Sequence, residues 1–130
     1  MTTKTRSKYG NVRVVAEDGQ VFHSKKEKAR YDVLKKMEEK GEIWNLRRQV
    51  RYTLLPPVFE TKQIRLKTMI KEKVTQLYRE TTYAADFVYM KDGVEIVEDV
   101  KASKAFQDPL YKLKKKLMYM MHNITIKEIY

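Results

Sequence analysis

The stretch Met90-Lys91-Asp92-Gly93-Val94 sits among the residues whose spacing could do chemistry. An Asp-Gly pair between alternating apolar residues signals a two-residue type I′ turn, because both central positions need positive φ. Lys91 then pairs with Val94. Counting back along both strands sets Asp86 opposite Asp99 and Ala84 opposite Lys101. Side chains alternate between faces, so Ala84, Asp86, Val88, Val97, Asp99 and Lys101 are expected on one face. Ala85, Phe87, Tyr89, Ile96, Glu98 and Val100 are expected on the other. Directly opposed Cβ atoms lie about 5 Å apart, and two carboxylates that close destabilise the pair by a few tenths of a kcal/mol or more. A divalent cation between them removes that repulsion. Mg²⁺ fits, because it takes oxygen ligands, keeps several waters and needs only one or two carboxylates. An ammonium at Lys101 could orient a water or offset charge on a phosphate. The competing reading is a half-exposed hairpin with chance charges. A one-residue register shift would exchange Asp99 for Glu98.

The surrounding sequence supplies elements to hold this hairpin. Residues 1–10 read as a flexible basic tail. Val12–Ala16 and Gln20–Phe22 flank Asp18-Gly19, a second hairpin signal. Ser24-Lys25-Lys26-Glu27 has the S-x-x-E pattern that opens helices, and Gly41 stops this one after about Lys40. Its apolar residues are Ala29, Tyr31, Val33, Leu34 and Met37. Trp44–Leu55 reads as a strand ended by Pro56-Pro57. Residues 58–76 fit both strand and helix patterns in part and read as a projecting basic arm. Leu77–Met90 and Val94–Lys101 read as strands. Asp108-Pro109 caps and starts a second helix whose apolar stripe is Leu110, Leu113, Leu117 and Met120 or Met121. Met118, Met120 and Met121 are expected in the core. His122-Asn123 turns the chain into a last strand, Ile124–Tyr130. The order is helix, strand, strand, strand, helix, strand: an α/β class chain with a mixed α+β sheet, in one domain over 1–130.

Composition narrows the partner. With 28 basic and 17 acidic residues the formal charge is +11 in 130 residues. That favours a polyanion, nucleic acid before anionic membrane. Cysteine is absent, which excludes disulfides and thiolate metal sites, and only two histidines are present. No apolar run approaches the roughly 18 residues of a membrane span, and the N-terminus lacks the apolar stretch of a signal peptide. A soluble, cytoplasmic protein is expected, with no membrane partner. Arm residues Lys62, Arg65, Lys67, Lys71 and Lys73, and helix residues Lys112, Lys115 and Lys116, are candidate phosphate contacts. A solvated helix face is the alternative for the last three.

Asp86 followed across the hairpin by Asp99-Val100-Lys101 resembles the D…(D/E)-x-K signature of the PD-(D/E)XK nuclease superfamily, with Ala85 at the signature's proline position. The element order resembles that superfamily's restriction-endonuclease-like αβββαβ core. A closer resemblance is to small bacteriophage nucleases allied to Holliday-junction resolvases. It is carried by Lys8-Tyr9-Gly10-Asn11, Phe22-His23-Ser24-Lys25-Lys26-Glu27, Arg30-Tyr31, Tyr83-Ala84-Ala85-Asp86-Phe87-Val88-Tyr89, Val97-Glu98-Asp99-Val100-Lys101 and Tyr111-Lys112-Leu113-Lys114. It covers most of the chain except the arm.

The resemblance implies that Asp86 and Asp99 hold Mg²⁺ or Mn²⁺, that the Val100 carbonyl adds a ligand, and that Lys101 serves the attacking water. It puts Glu27 in the site as the acidic residue of the first helix. From the residues alone Glu27 could instead close a capping box with Ser24. Its stripe with Tyr31 and Leu34 would still aim it at the sheet. Gln49 matches a polar active-site position, or is an ordinary exposed strand glutamine. His23, just before the helix, reads as structural. The implied activity is metal-dependent endonucleolytic cleavage of DNA, four-way junctions above all, by a homodimer acting in a bacterial host. The alternatives are a DNA-binding protein on a degenerate nuclease fold, and a phage DNA-processing nickase without junction preference.

Overall fold

The structure is a computed structural model describing residues 5–6, 12–16, 18–105 and 107–130. Strands β1 (Thr5–Arg6), β2 (Val12–Val15) and β3 (Val21–Phe22) form a small antiparallel sheet in the order β1-β2-β3. Thr5–Arg6 is therefore a paired strand where a flexible tail was expected. The rest of residues 1–10 and of Lys8–Asn11 lies outside the described residues.

Helix α1 (Lys25–Glu39) starts where the S-x-x-E pattern places it: Ser24 Oγ accepts the Glu27 N–H at 3.1 Å. It ends at Gly41, whose φ of +76° lets the N–H groups of Gly41 and Glu42 close on the Glu38 and Met37 carbonyls. Of its apolar residues Leu34 is fully buried, Tyr31 and Met37 are partly buried, and Ala29 and Val33 face solvent.

The main sheet holds β4 (Trp44–Leu55), β7 (Thr81–Lys91), β8 (Val94–Val100) and β9 (Lys127–Ile129) in the order β4-β7-β8-β9. The first three strands pair antiparallel. β9 returns parallel to β8 after crossing through α2 (Pro109–His122). The fold is thus a mixed α/β arrangement whose main elements follow the expected order. Asp92 and Gly93 have φ of +50° and +76°, as a type I′ turn requires, and Lys91 pairs with Val94 as counted.

The two helices cover opposite faces. On one, α1 packs Leu34 with Ile43, Phe87 and Tyr89. On the other, α2 packs Tyr111 and Met118 with Val88, Val97 and Leu54. The strict alternation expected for β7 fails on one side of Asp86. Phe87 and Tyr89 belong to the α1 face, but Tyr83 and Ala85 belong to the α2 face. The neighbouring strand does the same: Leu46 packs toward α1, whereas Val50, Tyr52 and Leu54 pack toward α2. The switch falls at Gln49, whose φ of +51° is left-handed and costs a non-glycine residue about 1–2 kcal/mol. Both strands therefore invert their pleat where Gln49 and Asp86 lie.

One element reading is corrected, and a segment whose pattern fitted both strand and helix takes one form. Leu77–Met90 is not one strand: Leu77 and Tyr78 end β6 (Ile70–Tyr78), and β7 begins at Thr81. The segment 58–76 is a hairpin: β5 (Val58–Arg65) pairs antiparallel with β6 across a turn at 66–69 closed by the Leu66 N–H on the Met69 carbonyl. Pro56 and Pro57, lacking N–H donors, separate the end of β4 from the start of β5.

The second helix is capped as read, Asp108 accepting the Leu110 N–H at 2.9 Å, but its buried stripe is different. Tyr111 and Met118 face the sheet, Leu117 is partly buried, and Leu110, Leu113, Met120 and Met121 are exposed. The tyrosine carries an aromatic body to the sheet and a hydroxyl to Glu128, so it outcompetes the leucine stripe. Met118→Ala should then cost about 2–5 kcal/mol in urea unfolding. Leu113→Gln should stay within about 0.5 kcal/mol of wild type. Equal costs would restore the leucine stripe to the core.

Candidate active site

Strands β7 and β8 part company where Asp86 and Asp99 lie. Their ladder runs from Lys91↔Val94 to Phe87↔Glu98, and beyond that β8 follows β9. The Lys101 N–H donates to Ile129 O at 2.7 Å. Asp86 fills the opening: its Oδ2 accepts the Val100 N–H at 2.8 Å, in place of a ladder partner.

The two carboxyl groups are near enough for the charge of one to act on the other. Burial, the larger cause, and the neighbouring Asp86 charge push the Asp99 carboxyl well above the ordinary carboxylate range, and Lys101 opposes this. Burial likewise raises Asp86. The expected repulsion is therefore present and only partly compensated.

Lys101 reaches back over this pair. Its Nζ lies 2.6 Å from Asp99 Oδ2 and 3.2 Å from the centroid of the Tyr111 ring, a cation–π arrangement that fixes the ammonium. The contact with Asp99 is an ion pair without hydrogen-bond alignment, and the buried Asp99 Oδ2 has no hydrogen-bond partner. An open cleft of about 310 Å³ adjoins Asp99, Lys101, Tyr83 and the start of α2.

Glu27 enters from the other helix. It is 3% exposed, and its Oε1 accepts from Gln49 Nε2 at 3.2 Å and from the Arg48 guanidinium at 3.3 Å. Gln49 Nε2 also reaches Asp86 Oδ1 at 3.3 Å, so one amide bridges two acidic side chains. The Glu27 backbone N–H completes the Ser24 cap, but its carboxylate passes the Ser24 N–H and takes that of His23 at 3.2 Å. The Ser24 half of the capping box forms, but the Glu27 carboxylate does not close it and lies beside Gln49 instead. Ligand atoms of His23, Glu27 and Asp86 lie within 4.8 Å of one another.

Glu98 points to the opposite face, as the register implied. It is completely buried and accepts two bonds from Arg30, at 2.8 and 2.6 Å, and one from the Tyr89 hydroxyl at 2.5 Å.

Glu27, Gln49, Asp86, Asp99 and Lys101 are therefore brought together. The Val100 amide serves the site through Asp86. The lysines and arginine proposed for phosphate contact are elsewhere: Lys62, Arg65, Lys67, Lys71 and Lys73 are exposed on the β5–β6 hairpin, and Lys112 and Lys116 on α2. Lys115 is paired with Glu128 at 3.1 Å. Three neighbours escaped sequence reasoning. Arg48 stacks on Phe22, 3.8 Å from its centroid, while holding Glu27. Tyr111 supports Lys101, and His23 touches Glu27 with Nδ1 at 3.5 Å. Only His23 carried a signal, its position just before the cap.

His23, Glu27 and Asp86 form a group that could hold a metal ion, and Asp99, with the Lys101 ammonium against it, adjoins Asp86 on a mixed α/β fold. The chain belongs to the family described as Protein of unknown function (DUF1064), whose model matches residues 6–129. No curated protein and no solved structure matches it. Among the described residues no helix is long and apolar enough to cross a membrane.

Proposed function

We propose that this protein is a divalent-metal-dependent endonuclease that hydrolyses phosphodiester bonds in DNA. The observation that carries the reading is the convergence of Asp86, Asp99, Glu27 and Lys101 where two strands separate. Structural carboxylates are normally paired with cations or with donors. Asp86 and Asp99 have such partners, the Val100 and Gln49 amides and the Lys101 ammonium, yet they also adjoin one another, burial disfavours the charge on both, and an open cleft reaches Asp99.

The donor set fits Mg²⁺ or Mn²⁺: hard oxygens of Asp86 and Asp99, with Glu27 adjoining. Such an ion supplies Lewis-acid polarisation of a phosphoryl oxygen and a more acidic bound water. The chain's own groups do the rest. Gln49 ties Glu27 to Asp86 and fixes both carboxylates before substrate arrives. Asp99 and Tyr111 hold the Lys101 ammonium in place, where it can orient the attacking water or offset charge gathering on the phosphate.

The formal charge of +11 supports a polyanionic substrate. The resemblance to junction-resolving phage nucleases makes four-way DNA junctions the preferred form. It also makes a two-fold homodimer the form that cuts symmetrically. The test is incubation of labelled four-way junction, linear duplex and single-stranded DNA with Mg²⁺, with Mn²⁺, and with chelator. Metal-dependent cutting, fastest on the junction, is the expected result. Cutting of all three at equal rates removes the junction preference. No cutting in either metal leaves a non-catalytic DNA-binding protein.

A further inference from the structure

The β5–β6 hairpin pairs only with itself and is exposed along nearly its whole length, so neither of its faces is committed to the core. Its register sorts the charges. Lys62 faces Lys73 directly across the ribbon, Ile64 faces Lys71, and Glu60 faces Thr75, all on one side. Lys62 Nζ lies 3.7 Å from Glu60 Oε1, as residues sharing a face should. The other side carries Phe59, Thr61, Val74 and Ile70, with Arg65 and Glu72 roughly balancing each other.

Like charges directly opposite in a two-stranded ladder are destabilising, and an isolated two-stranded ribbon is marginal to begin with. Lys62 opposite Lys73, with Lys71 one rung outward, therefore makes sense for a face that meets negative charge. A two-stranded ribbon has the width of the DNA major groove, and eight residues extend about 26 Å along it.

We propose that the face bearing Lys62, Lys71 and Lys73 docks on the sugar–phosphate backbone of duplex DNA, and that Arg65, on the reverse face, takes no part. The choice of DNA as the polyanion rests on the function proposed above. The sorting of residues by face rests on the register alone. Contacts of this kind set position and affinity without reading sequence.

The test uses the full chain in chelator, so that no cutting occurs, with a labelled duplex of about 30 base pairs followed by fluorescence anisotropy. Each lysine–phosphate contact adds about 0.9 to the slope of log affinity against log salt. The combined variant Lys62→Gln, Lys71→Gln, Lys73→Gln should flatten that slope by about 2.7, while Arg65→Gln keeps the wild-type slope. These residues are exposed, so thermal unfolding of the variants should match wild type. The proposal is overturned if the triple variant keeps the wild-type slope, if Arg65→Gln lowers it as much as one lysine does, or if wild type fails to bind. Loss of binding only on Phe59→Ser and Val74→Ser, the signature of a protein partner or second copy using the reverse face, overturns it too. Absence of cleavage elsewhere would sink the nuclease reading and leave these slopes as they are.

Discussion

Asp99→Asn is expected to abolish metal-dependent cleavage while making the metal-free protein more stable. The two effects share one cause. Asp99 is buried beside Asp86, and both carboxyls are held above their ordinary range by burial, with the Asp86 charge the next cause for Asp99. Between the unfolded value and the raised folded value the native state binds more protons than the unfolded chain, so stability falls as pH rises through that window. Asparagine keeps the shape and removes one charge. The gain at pH 8 should be about 1–3 kcal/mol, seen as a higher melting temperature. Loss of a charge partner for Lys101, itself 22% exposed, trims that gain. The variant should be less pH-sensitive than wild type between about pH 4 and 8. Mg²⁺ should raise the melting temperature of wild type at pH 8 and leave the variant unmoved. Cleavage should drop by at least about 10³-fold. A variant that melts lower than wild type in chelator would show that Asp99 is a structural partner of Lys101 and no more.

Glu98→Ala, one residue away, should do the reverse: damage the fold and spare the chemistry. Glu98 is wholly buried, and removing it leaves the Arg30 guanidinium, 20% exposed, and the Tyr89 hydroxyl without an acceptor. Breaking one side of such a pair costs about 3–5 kcal/mol. In a 130-residue domain that lowers the melting temperature by more than about 10 °C. Glu98→Met combined with Arg30→Met removes both charges and should recover most of the loss, since two apolar groups of similar volume replace the pair. Below its melting point the single variant should still cut DNA. A stable but inactive Glu98→Ala protein would mean that Glu98, and not Asp99, supplies the ligand.

What could be read in the residues follows from how local each signal is. The Asp92-Gly93 turn fixes its own backbone, so the register from Lys91↔Val94 to Phe87↔Glu98 and the turning away of Glu98 were legible from counting, whereas the counted pairs Asp86 with Asp99 and Ala84 with Lys101 lie beyond the ladder, where β7 and β8 separate. Ser24, Gly41, Asp108 and Pro109 bounded both helices for the same reason. The stripe of α2 was misread because apolar spacing cannot say which stripe meets the sheet when Tyr111 and Met118 offer a second one. The pleat inversion at Gln49 was hidden because its left-handed backbone has no glycine or asparagine to announce it. It is also what brings Gln49 between Glu27 and Asp86, so the unreadable feature is the one that assembles the site. Arg48 and Tyr111 were invisible because their roles depend on tertiary packing against Phe22 and over Lys101.

Binding of Mn²⁺ followed by electron paramagnetic resonance addresses the shared-cation claim with no substrate in the way. The wild-type protein at pH 8 should bind the ion at a site that Mg²⁺ displaces, and that site should vanish in both Asp86→Asn and Asp99→Asn. Wild-type protein that leaves all Mn²⁺ free, or variants that bind it as wild type does, would contradict the account.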